Sequence, residues 1–282
     1  MKLVTFTVAG KTSWGAAVEG GVIDLGAKLA YPDVRSLITA GAIDQAKDAA
    51  AGAKPDYALE AITFLPPVTN PEKIICVGLN YDEHVRETKR DKTEDPALFV
   101  RFANSQVGHN QPILLPLESD KLDYEGEIAL VIGKAGRRIP EDKAYDYVAG
   151  YAPYNDGSIR DLQWATTQWT TGKNFPATGA FGPWLVTCDE LPASTKLTLI
   201  TRLNGKEMQR ATTDMMVHSI PRLIAFISRF TELVPGDVIV TGTPGGVGAR
   251  KTPPLFMKDG DICEIEIEGV GVLRNPIKAE KA

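Results

Sequence analysis

Short apolar runs broken by turn residues dominate this chain, and few segments carry a helical stripe. Residues 3–8 and 14–18 read as strands on either side of Gly10-Lys11, and Gly20-Gly21 turns the chain into a further run at 22–25. A short helix is expected at 34–38 and an Ala-rich one at 43–51. Pro66, Pro67 and Pro71 then punctuate the chain, where neither a helix interior nor a central strand can continue. This divides it into a small leading α+β unit, 1–68, and a large unit, 69–282. In the large unit, strands are expected at 73–78, 125–133, 147–155, 197–203, 206–210, 237–241 and 262–268. Asn204-Gly205 is a pair that favours a tight hairpin turn. Residues 262–268 alternate sharply, with Glu264, Glu266 and Glu268 on a solvent face. Helices are expected at 81–89 and at 219–230, the latter with Pro221 in its first turn and Leu223, Ile227 and Phe230 on one stripe. Helices and strands do not alternate regularly, so the fold class is α+β with a mixed or antiparallel sheet, not a doubly wound one.

Composition narrows the function. A length of 282 residues allows a sizeable core, and 24% charged with 43% hydrophobic residues is ordinary for a globular chain. The net charge of −5 argues against sequence-independent nucleic-acid binding, and the charged stretch 86–95 mixes both signs as a solvated face does. Cys76, Cys188 and Cys263 are scattered, which indicates reduced thiols and not a disulfide framework or a zinc site. No apolar run approaches the roughly 18 residues of a membrane span, and the start reads as a strand, so a cytoplasmic protein is expected.

Candidate chemistry begins at Glu125-Gly126-Glu127. On a strand, residues two apart share a face, so two carboxylates project together with no bulk between them. Their mutual repulsion in an enclosed site is relieved by a divalent cation, and carboxylate oxygens suit magnesium, manganese or calcium. Asp156, where a strand ends in a turn, is placed to offer a third oxygen. Such a set leaves positions open for the carboxylate and keto oxygens of a 2-oxo acid.

Five stretches, in order, resemble the fumarylacetoacetate hydrolase family: Val77-Gly78-Leu79-Asn80-Tyr81-Asp82-Glu83-His84, the run at 122–134, Asn155-Asp156 with Arg160-Asp161-Leu162-Gln163, Gly172-Lys173-Asn174-Phe175, and the Gly-rich run at 242–248. The resemblance covers about residues 71–277. It implies a mixed β-roll, usually in homodimers, with the smaller unit packed beside it. It implies Glu125, Glu127 and Asp156 as metal ligands, and His84 oriented by Glu87 as the base, their three-residue spacing putting them on one helical face. Lys173 becomes a buried cation beside the carboxylates. Arg160 either binds a substrate carboxylate or braces the ligands, Gln163 contacts substrate or a water, and the turn at 241–248 brings backbone amides and Thr243 to the substrate. That turn matches neither a Walker loop nor a dinucleotide fingerprint. His109 and His218 receive no role.

Gly157 departs from the family pattern, which carries a branched apolar residue there, and the small and polar residues at 170–180 also differ between members. Residues 86–111 are expected to form a lid and pocket wall. The expected activity is hydrolytic carbon–carbon cleavage of an acylpyruvate or related 2,4-diketo acid. Decarboxylation of an oxaloacetate-type 2-oxo acid, or hydration or isomerisation of 2-oxo acids, uses the same site. A non-catalytic 2-oxo acid sensor is the reading from another class.

Overall fold

Alternation along one strand, Gly126–Ile132, organises the molecule. Ile128, Leu130 and Ile132 enter one core with Leu199, Ile265 and Leu273 of a second sheet and with Leu223, Ile224 and Ile227 of a helix. Ala129 and Val131 enter the opposite core with Ile74, Cys76, Trp14, Val34 and Leu37. This period of two buries the strand on both faces and makes it the centre of the fold. The computed structural model describes residues 1–88 and 94–281.

Twelve strands form the larger sheet among the described residues. Its main path runs Gly21–Asp24, Lys11–Val18, Lys2–Val8, Leu185–Thr187, Val148–Asn155, Gly126–Ile132, Val238–Val240, Ile74–Gly78 and Ala97–Arg101. Most neighbours are antiparallel, but Val238–Val240 runs parallel to Ile74–Gly78. The architecture is therefore α+β and mixed. The leading strands extend this sheet, since Lys2 and Leu3 pair with Val186 and Leu185. The helices Val34–Thr39 and Ile43–Ala50 bury Val34, Leu37, Ile38 and Ala46 in the core that also holds Ala129 and Val131. Residues on both sides of the prolines thus share one sheet and one core.

The second sheet orders Lys206–Thr212, Thr198–Leu203, Ile262–Ile267, Gly271–Ala279 and Ile113–Leu115. Asn204 and Gly205 both take positive φ, 53° and 77°, as a tight hairpin turn requires. In Ile262–Ile267 the residues Cys263, Ile265 and Ile267 are buried while the glutamates face outward. The helix Ile220–Phe230 is capped by Ser219, whose side chain accepts from the Arg222 amide. Its buried stripe is Ile220, Leu223, Ile224 and Ile227. Phe230 does not continue it, being 57% exposed at the helix end, where its ring stands edge-on to that of Phe226.

The segment expected to be a lid is in part a sheet edge. Ala97–Arg101 pairs in register with Ile74–Gly78, from Ala97 opposite Gly78 to Arg101 opposite Ile74. Residues 89–93 of that segment, with Lys89 of the expected helix, lie outside the described residues. No helix among the described residues is long and apolar enough to cross a membrane.

This topology gathers the candidate residues. Gly126 pairs with Asn155, so the beginning of one strand and the end of its neighbour put Glu125 beside Asp156. Val238–Val240 and Ile74–Gly78 end at the same edge and lead into the Gly-rich loop and the helix Asp82–Thr88.

Candidate functional site

Glu125, Glu127 and Asp156 each offer an oxygen, and these atoms lie within 4.8 Å of one another. All three residues are buried. The backbone fixes the first and third: the Asp156 amide donates to the Glu125 carbonyl at 2.9 Å, and the Glu125 amide donates to Asn155 Oδ1. Glu127 Oε2 accepts from the Gly242 amide at 2.6 Å.

Cations brace two of these carboxylates. Lys173 Nζ lies 2.6 Å from both Glu125 Oε2 and Asp156 Oδ2, and 4.8 Å from the centre of the Phe99 ring. Arg160 Nη1 meets Glu125 Oε1 at 2.6 Å, and its Nε and Nη2 meet Asp123 Oδ2. Arg101, fully buried, donates through Nη1 to Asp156 Oδ1 at 2.6 Å and to the Gly157 carbonyl. The charges adjust accordingly. Burial opposes the Glu125 carboxylate, yet Arg160 and then Lys173 outweigh it and hold its pKa well below the usual range. Burial likewise opposes the Lys173 ammonium, but Asp156 and Glu125 raise its pKa.

Glu127 differs. Among the described residues it has no Lys or Arg within ion-pair distance. Burial first, then Asp156 and Glu125, pushes its carboxyl well above the usual range. With Glu127 ionised, Asp123, Glu125, Glu127 and Asp156 pair among the described residues only with Arg101, Arg160 and Lys173, which leaves one negative charge more than the cations that meet them. A buried charge in that condition is relieved by protonation or by a bound cation. The all-oxygen donor set fits magnesium or manganese.

A cleft opens onto Glu125, Glu127, Arg160 and Lys173, lined as well by His84, Gln163, Thr243, Phe99 and Trp169 among others. His84 Nδ1 stands 3.6 Å from Glu87 Oε2, on the expected helical face but beyond hydrogen-bond distance. Glu87 is held instead by the Gly246 amide, which donates to Oε1 at 2.8 Å. Gln163 Oε1 accepts from Arg160 Nη1 at 2.9 Å. Of the two roles open to Arg160, its nitrogens perform the bracing one in this structure.

In the Gly-rich loop, several amides go to protein carboxylates: Gly242 to Glu127, Gly246 to Glu87, Gly248 and Ala249 to Asp123. Gly242 and Gly246 take φ of 99° and 100°, which a glycine allows without strain. Thr243 lines the cleft, its Oγ1 donating to the Gly126 carbonyl and accepting from Gln209. His109 and His218 stand outside the cleft. His109 accepts the Arg274 amide at Nδ1, and burial, then Arg274, lowers its pKa to about 4.

Sequence reasoning missed Arg101 and left Asp123 without a role. Arg101 sits on an edge strand and reaches Asp156, 55 residues further along the chain, so no local pattern marks it. Asp123 lay inside a quoted motif, yet its partners Gly248 and Ala249 lie more than 120 residues away. Gly157 now has a reason: a Cβ there would collide with the Thr178 carbonyl oxygen. Gly157→Ala should therefore lower stability by about 1–3 kcal/mol, the usual penalty of overpacking. A urea midpoint equal to the parent's would show that Thr178 can withdraw freely.

Similarity to known proteins agrees with this geometry. The profile of the fumarylacetoacetate (FAA) hydrolase C-terminal family matches residues 73–278. A mitochondrial oxaloacetate tautomerase of Xenopus laevis is 40% identical over 287 residues, covering 98% of this chain and 90% of that protein. Fumarylacetoacetate hydrolase from psychrophilic Exiguobacterium antarcticum aligns with a TM-score of 0.87 at 34% identity, over 99% of this chain and 100% of that one. Maleylpyruvate hydrolase from Sphingobium sp. SYK-6, solved with manganese(II) and pyruvate, aligns with a TM-score of 0.84 at 27% identity over 100% of both chains.

Proposed function

The chain belongs to the fumarylacetoacetate hydrolase family, and on that premise we propose that it interconverts the keto and enol forms of a 2-oxo acid at a divalent cation held by Glu125, Glu127 and Asp156. The observation that carries this reading is the convergence of these buried carboxylates at a cleft that His84 and Lys173 also line. Identity to an oxaloacetate tautomerase along nearly the whole chain supports the reaction type.

Bound there, magnesium or manganese would supply a Lewis acid that polarises a keto group. Lys173, Arg160 and Arg101 hold the ligand oxygens of Glu125 and Asp156 in place. Gln163, with its oxygen engaged by Arg160, keeps its amide nitrogen for an oxygen of the substrate. His84 has Nδ1 turned to Glu87, which leaves Nε2 for the substrate. It takes a proton from the carbon beside the keto group and delivers one to the oxygen, so a C–H bond breaks and an O–H bond forms. Glu87 keeps a negative charge beside that imidazole: burial opposes it, but His84 and the Gly246 amide hold its pKa low.

Hydrolytic cleavage of an acylpyruvate or related 2,4-diketo acid is the second reading. The His84–Glu87 pair favours it, because the same base can take a proton from water. Products separate the two. Metal-loaded protein is given oxaloacetate, acetylpyruvate and fumarylpyruvate, and products are identified by mass. Faster interconversion of oxaloacetate forms with no new acid supports the tautomerase, whereas two acids from one diketo acid supports the hydrolase. In either case His84→Asn should lower turnover about a hundredfold with cation binding intact. Turnover within twofold of the parent would remove His84 from the chemistry.

A further inference from the structure

We propose that Arg250, seated on Trp164 at the opening of the cleft, binds the second carboxylate of a dicarboxylic 2-oxo acid and selects that class over monocarboxylic ones. The inference rests on the 2-oxo acid reading and adds the residue that recognises the far end of the substrate.

Three cationic side chains line the cleft among the described residues: Arg160, Lys173 and Arg250. The first two are paired with protein carboxylates at 2.6–2.8 Å. Arg250 has no carboxylate partner among the described residues. Its guanidinium carbon lies 5.2 Å from the centre of the Trp164 ring, and Trp164 lines the same cleft. A guanidinium held over an aromatic face keeps its planar fork of N–H donors free at the edge, the geometry that takes a carboxylate through two parallel bonds.

This arginine is also held by its backbone, unlike a side chain on a free loop. Gly248 and Ala249, just before it, donate their amides to Asp123, and the Arg250 amide donates to the Val247 carbonyl. Asp123 is the carboxylate that anchors Arg160 against Glu125. One residue therefore ties the position of Arg250 to the carboxylate end of the cleft. The buried end is acidic and takes the 2-oxo acid head together with its cation, while the open end offers a positive charge to whatever extends from that head. An acid that ends in a second carboxylate fits both ends, and one that ends in a methyl group leaves Arg250 unused.

The test compares Arg250→Gln with the parent, both loaded with magnesium. Dissociation constants are measured within minutes of mixing for pyruvate, 2-oxobutyrate and oxaloacetate. The last two have the same chain length and differ by a methyl group against a carboxylate. The parent should prefer oxaloacetate to 2-oxobutyrate by about tenfold or more, and Arg250→Gln should lose most of that preference while binding pyruvate within about twofold of the parent. A preference that is absent in the parent, or equal in both proteins with pyruvate still bound, overturns the role of Arg250 and leaves the 2-oxo acid reading standing. A parent that binds none of the three acids overturns that reading and this subsite with it.

Discussion

Glu127→Gln protein should fold, melt no lower than the parent without divalent cations, and lose both its stabilisation by cations and about 10³-fold or more of its turnover. Glu127 is the carboxylate of the triad with no Lys or Arg within ion-pair distance among the described residues, and burial together with Asp156 and Glu125 works against its charge. Glutamine keeps an oxygen to accept the Gly242 amide, so the hydrogen bond survives while the charge goes. In the parent, a cation at 100 times its dissociation constant adds about 2.7 kcal/mol to stability, and the variant should show little of this. Melting curves with and without magnesium or manganese read the effect. A variant that melts far below the cation-free parent would mean that the Glu127 charge supports the fold by itself. One that still gains the full stabilisation would place the cation elsewhere.

Lys173→Met should act in the opposite way. The ammonium is buried and lies between Glu125 and Asp156, so its loss leaves two buried carboxylates with less positive charge than they need. Breaking one side of such a buried set costs about 3–5 kcal/mol. Part of that loss should return on adding a divalent cation, which places positive charge beside the same oxygens. Denaturant titration with and without magnesium measures both effects. Equal stability of variant and parent without cation would contradict the account of how these carboxylates are held. The pair of variants thus separates a carboxylate that awaits a cation from a cation that the fold already supplies.

Much of this arrangement was legible because its signals are local. Glu125 and Glu127 are two apart where a strand begins, and Ala129 and Val131 continue the face they share, while Ile128, Leu130 and Ile132 line the other. The tight turn at Asn204-Gly205 and the alternation at Cys263, Ile265 and Ile267 are equally local. Asp156, Lys173 and His84 are marked by motif order; strand pairing puts Asp156 beside Glu125, while His84 and Lys173 come in on the helices Asp82–Thr88 and Thr170–Lys173. What escaped was non-local. Arg101 is brought to Asp156 by a strand pairing that its own neighbours do not signal, and Asp123 acts by holding a loop far along the chain. Glycine-rich turns expose amide donors, and here the carboxylates of Glu127, Glu87 and Asp123 take those of Gly242, Gly246, Gly248 and Ala249, partners that no local pattern signals. Phe230 fits the helical period on paper, but the core ends one turn earlier, at Ile227.

The rate of oxaloacetate keto–enol interconversion, followed in protein stripped of metal and then reloaded with magnesium or manganese, tests the central claim most directly. The account predicts a rate close to the uncatalysed one for stripped protein, a large rise on reloading, and no rise for Glu127→Gln. A stripped protein that works as fast as the reloaded one, or a reloaded one that leaves the uncatalysed rate unchanged, would contradict it.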